Sequence, residues 1–120
     1  RVLPTEDAAT VIPQVEQWLR SRVQAAFEML PPWIDGATLS DHNNGPWADR
    51  LLAQVTPLAG PRRKLGAWYG TNASRIAVTG VPAVVFGPGS IEQAHTRDEW
   101  IEVEQLRLAT EILHRFCRAG

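Results

Sequence analysis

A single cysteine, Cys117, stands in this chain of 120 residues. One thiol cannot form an internal disulfide, and that scarcity suits a reducing, cytoplasmic setting. Charge of neither sign is in excess: 12 Lys and Arg face 13 Asp and Glu, for a net charge of −1. The balance excludes a basic surface that tracks nucleic-acid phosphates, and it excludes an acidic solvating tail. Long apolar runs are missing too. The longest, 81–86, already contains Pro82, far short of the ~18 apolar residues of a membrane span. No charged segment followed by an apolar one opens the chain, so no signal peptide is expected. Neither nucleic acid nor membrane is an expected partner. The first residues read Arg1-Val2-Leu3-Pro4 without a methionine, the form of a processed or truncated chain.

What is present reads as globular: 44% of residues are hydrophobic and 21% charged, and the length is that of one domain able to bury a core. Val2-Leu3 has the character of a strand end, stopped by Pro4. Apolar residues at Val11, Ile12, Val15, Trp18, Leu19 and Val23 repeat near the helical period and predict a helix to about Arg22. Pro13 fits it only near the first turn, which points to Thr10 as the N-cap. Residues 24–30 have strand character, and Pro31-Pro32 ends them. Turn formers then dominate to Gly45. Pro46, favoured at the first helical position, predicts a short helix to about Val55.

The second half changes pattern. Residues 64–69 read as a strand. Thr71 caps a short helix that stops at Gly80, the residue expected just past a helix end. The run 81–86 is the continuous apolar type that parallel sheets bury on both faces. From about Glu102 a last helix places Val103, Leu106, Ala109, Leu113, Phe116 and Cys117 on one face. Strand, helix, strand, loop and helix in that order predict an α/β fold. The composition shift across 31–44 is the candidate boundary between two units. The five tryptophans are read as core and boundary residues, Cys117 as a small buried hydrophobe, and Arg62-Arg63-Lys64 as a solvated edge.

The richest chemistry lies in Gly87-Pro88-Gly89-Ser90-Ile91-Glu92-Gln93-Ala94-His95-Thr96-Arg97-Asp98-Glu99. Three loop formers let the backbone approach another group closely. His95 is then followed by carboxylates three and four positions on. Neutral imidazole is the commonest metal ligand, and a carboxylate can orient its second nitrogen. A hydrogen-bonded surface histidine is the alternative, and Glu99 could instead close a capping box with Thr96. His114 and Cys117, three apart on a helix, could share a metal only with further ligands. His42 reads as a solvent-exposed histidine. The loop lacks both the Gly-x-Gly-x-x-Gly spacing and a Gly-Lys-Ser/Thr ending, so it is a poor phosphate cradle.

The same segment, closed by Trp100, resembles the C-terminal signature of the acetylornithine deacetylase / succinyl-diaminopimelate desuccinylase family of zinc amidohydrolases. Tyr69-Gly70-Thr71-Asn72-Ala73 and the later Gly80-Val81-Pro82 are similar to that family's lead-in. Asn72 stands where an acidic residue is usual. The residues from Arg1 to Asp7 resemble a passage in the family's lid domain.

The resemblance implies an α/β catalytic domain and a ferredoxin-like lid that also dimerises. Residues 1–32 would end the lid, and 33–120 would be the C-terminal part of the catalytic domain. It implies two zinc ions, with cobalt as a substitute, His95 as one metal ligand, and Thr71 and Ser90 as substrate-contacting residues. The general base and the remaining ligands would lie upstream of Arg1. The implied reaction is removal of an acetyl or succinyl group from an N-acyl amino acid such as N-acetylornithine, by zinc-activated water. The implied assembly is a homodimer. On that reading the chain alone is inactive. The alternative is a non-catalytic homologue serving as a binding or dimerisation module.

Overall fold

A computed structural model describes residue 6, residues 8–32 and residues 36–119. The expected strand end at Val2-Leu3 and the lid-like passage, apart from Glu6, lie outside the described residues. Among the described residues four helices form in chain order: α1 (Ala8–Arg20), α2 (Asp41–Ala59), α3 (Asn72–Ala77) and α4 (Val103–Arg118).

The expected α/β architecture does not form. Among the described residues there is no strand; 24–30, 64–69 and 81–86 are irregular. A β-pattern specifies which side chains suit a pleated surface, but a strand exists only through ladder bonds to a neighbour. The described residues supply no such neighbour.

α1 begins at Ala8, so Thr10 lies inside it rather than at its cap, and Pro13 is interior. Arg20 Nε donates to Glu16 Oε1 at 3.0 Å, one turn back. α2 starts at Asp41, five residues before the position Pro46 suggests. Ser40 is its N-cap, the Ser40 hydroxyl accepting from the His42 N–H at 3.2 Å. Asp41 adds a carboxylate to the first turn, where the helix dipole favours it. Pro46 and Pro57 are interior, each omitting one rung of the i→i−4 ladder. Lys64 ties the following segment back to α2, its ammonium 3.1 Å from both Asp41 Oδ2 and Asp49 Oδ1. The expected solvated edge is therefore partly an ionic clasp.

The core sits where α2 meets α4. Leu51, Val55 and Ile112 are buried together, with Leu58, Ala59, Phe86 and Phe116 packed on them. Trp47 meets Phe116 edge to face, centroids 6.3 Å apart, and the Arg50 guanidinium lies 4.6 Å over the Trp47 ring. Asn44, also buried, joins the irregular 81–86 run to α2. Its Nδ2 donates to the Ser40 carbonyl at 2.6 Å, and its Oδ1 accepts from the Ala83 N–H at 2.8 Å.

Several burial expectations fail. The face of α4 that packs is Ala109, Ile112 and Phe116, while Val103 is 82% exposed and Leu106 52%. Cys117 is exposed rather than buried. Trp18, Trp68 and Trp100 are exposed, and Trp47 is only partly covered. The radius of gyration is 18.8 Å, against ~14 Å for a compact domain of this length. The accessible surface is 9912 Å², where a compact monomer of this mass exposes roughly 6,500 Å².

α4 also carries two ion pairs, Arg107–Glu104 and Arg115–Glu111, each at 2.7 Å. Hydrogen bonds from the two arginines hold both carboxyls below the ordinary 4.5. A lowered carboxyl favours the folded helix above its ordinary value and loses that contribution as pH falls through the lowered one. The helical circular-dichroism signal should therefore hold down to about pH 5 and decline below it. A Glu104→Gln, Glu111→Gln double variant should decline less. Superimposable acid titrations of the two proteins would refute the assignment.

Candidate functional site

The 87–99 segment follows the irregular run anchored by Asn44 and precedes α4. Gly89 has φ +89°, and a Cβ there would meet nothing closer than Ile101 at 3.9 Å. Glycine is required by the backbone angle rather than by space. The Gly89 N–H donates to Gln105 Oε1 on α4 at 2.7 Å. Successive turns follow: Gln93 N–H to Ser90 O at 3.0 Å, Ala94 N–H to Ile91 O at 3.2 Å, and Thr96 N–H to Gln93 O at 3.2 Å.

His95 ends that series in an uncommon conformation. Its φ is +63°, and no other described non-glycine residue has a positive φ. A side chain in the left-handed region is crowded by its own backbone and stays there only where surrounding contacts require it. One such contact is Glu99, whose Oε2 accepts the His95 N–H at 3.1 Å. Glu99 thus holds the histidine's backbone, not its ring, and it forms no capping box with Thr96. The Thr96 hydroxyl donates to the Gln93 carbonyl at 2.8 Å. The His95 side chain is exposed.

Ser90 accepts the Glu92 N–H at 3.2 Å through its hydroxyl oxygen, leaving the hydroxyl proton available to another acceptor. It lines a cleft of about 110 Å³ whose walls include Trp100, Ile101, Glu92 and Glu102. Neither His95 nor Thr71 belongs to that lining. Thr71 is the N-cap of α3, its hydroxyl accepting from the Ala73 N–H at 3.3 Å. Its carbonyl accepts from the Ser74 hydroxyl at 3.0 Å. α3 is capped at Val78, two residues before the stop that the sequence suggests at Gly80, and Gly80, at φ +87°, closes the turn that follows.

Among the described residues, no three His, Cys, Asp or Glu side chains gather where they could hold a metal ion. His114 and Cys117 are both exposed on α4 and gain no third ligand. No helix among the described residues is long and apolar enough to cross a membrane. Sequence reasoning passed over Gln105. Its signal was slight: an amide three residues beyond Glu102, where a side chain can reach past the helix start.

The sequence profile described as peptidase family M20/M25/M40 matches residues 13–119. An acetylornithine deacetylase of Pectobacterium carotovorum is 39% identical over 72 residues, which cover 57% of this chain and 18% of that protein. A provisionally named succinyl-diaminopimelate desuccinylase of Mycobacterium tuberculosis is 39% identical over 64 residues, 53% of this chain and 18% of that protein. An N-acetyl-L-citrulline deacetylase of Xanthomonas campestris is 43% identical over 52 residues, 43% of this chain and 14% of that protein. The chain thus spans less than a fifth of the length of these curated relatives. No solved structure matches it.

Proposed function

Because this chain belongs to peptidase family M20/M25/M40, we propose that the protein it is part of hydrolyses the amide of an N-acyl amino acid. The observation that carries the reading is the agreement among relatives: those named above are called deacetylases or a desuccinylase. An acetyl or succinyl group on an amino acid such as ornithine is the proposed substrate class, and a cytoplasmic homodimer the proposed form. Residues 1–32 are assigned to a lid unit and 33–120 to the end of a catalytic unit. The large accessible surface and the exposed apolar side chains, Trp68 at 71% and Val103 at 82% among them, support a chain that packs against more protein.

The residues described here do not by themselves fit a zinc or cobalt ion. One exposed imidazole without companion ligands falls short of the three protein ligands of a catalytic site. We therefore give His95 a single ligand position and assign the other ligands and the general base to the rest of the protein. Thr71 and Ser90 are proposed to contact substrate. Ser90 suits that role through its free hydroxyl proton at the cleft, and Thr71 through the partly exposed start of α3.

The test compares the isolated 120-residue chain with the full-length protein. Both are assayed on N-acetylornithine and N-succinyl-diaminopimelate with added zinc or cobalt. Turnover is expected from the longer protein alone. Turnover by the isolated chain would contradict the ligand assignment. A full-length protein with no turnover would favour a binding or dimerisation module.

A further inference from the structure

We infer that Gln105 is a positioning residue for the Ser90–His95 loop, holding it to α4 through the Gly89 N–H; the inference rests on the hydrolase reading proposed above. The loop leaves an irregular run and enters α4 through another irregular stretch, so regular structure fixes neither approach. Two side-chain acceptors bracket it instead. Glu99 takes the His95 N–H, but Glu99 lies on the same loop and moves with it. Gln105 belongs to α4, whose Ala109 and Ile112 are buried. Its 2.7 Å bond to Gly89 spans 16 residues of sequence. It links the turn before Ser90 to the helix pair that holds the core.

The donor is a backbone N–H, so the amide must present oxygen and not nitrogen. A glutamate can do the same, whereas a leucine of similar helix propensity cannot. Misplacing a substrate-contacting group by about 1 Å is enough to slow a reaction.

The experiment uses the full-length enzyme with Gln105→Leu and Gln105→Glu, alongside wild type and His95→Ala. Gln105→Leu is expected to lower kcat/KM about five- to tenfold, the weight of one hydrogen bond. It should speed amide exchange at Gly89 without moving the thermal midpoint. Gln105→Glu is expected to restore both activity and protection. Wild-type activity and protection in the leucine variant would overturn the proposal. So would equal losses in both variants with a lowered melting temperature, the mark of a merely structural residue. If wild type and His95→Ala turned over alike, the hydrolase reading of His95 would fall. Gly89 exchange would still decide whether Gln105 holds the loop.

Discussion

On the proposed hydrolase reading, His95→Ala in the full-length protein is expected to lower turnover by more than the ~10–100-fold that losing an outer partner of a metal ligand produces. Metal content per subunit should fall with it. Alanine at φ +63° also keeps a crowded backbone, worth about 1–2 kcal/mol in the left-handed region. That is why His95→Gly belongs in the same experiment. Glycine removes the ring and relieves the crowding, so it should be as inactive as alanine yet more stable. His42→Ala and His114→Ala, both at exposed positions, should change turnover little. Should His95→Gly keep its metal and its turnover, the ligand assignment fails. Should only the alanine variant lose activity, the backbone rather than the imidazole is what matters.

The second large effect concerns stability. Ile112 is 3% exposed, the lowest value among the core residues. Removing its branched side chain leaves a void between α2 and α4 that so small a core can only partly close. Ile112→Ala should destabilise the 120-residue chain by about 2–5 kcal/mol, read as a shift in the urea midpoint. Leu106→Ala, on the same helix at 52% exposure, should move it by no more than roughly 0.5 kcal/mol. Equal shifts would mean that the buried face of α4 is misassigned.

That comparison bears on what a sequence can show. The start of α3 was legible through the Thr71 hydroxyl, because caps are local chemistry, while its end falls at Val78, two residues before the expected Gly80. The start of α4 after Glu102 was legible from the apolar spacing that follows it, Glu102 itself making no side-chain cap. Which side of α4 turns inward was not. Val103, Leu106, Leu108, Ala109, Ile112, Leu113 and Phe116 wrap around more than one stripe, and periodicity cannot choose among them. The start of α2 was not legible: Pro46 pointed to a later beginning, whereas the capping Ser40 with its following Asp41 sets the observed one. The expected sheet failed because pairing is a long-range property, while 81–86 reports only its own composition. At the candidate site, the sequence indicated the loop and His95. It could not indicate that Glu99 would take a backbone N–H or that Gln105 would reach Gly89.

Asn44 has a consequence for what the 81–86 run does in crowded solution. Six apolar residues in a row with no charge would, were it not for Pro82, have the composition of a template on which other copies can stack into fibrils. Were the run to pair, the N–H groups of residues 81, 83 and 85 would face one edge and those of 84 and 86 the other. Pro82 has no N–H, which blunts the second edge at its start. The Ala83 N–H is already taken by Asn44, which blunts the first. One amide and one imino acid, on adjacent residues, thus act as stoppers on both sides of the same ribbon. Asn44→Ala would open one of them, and the expected sign is a shorter lag before thioflavin-binding fibres form.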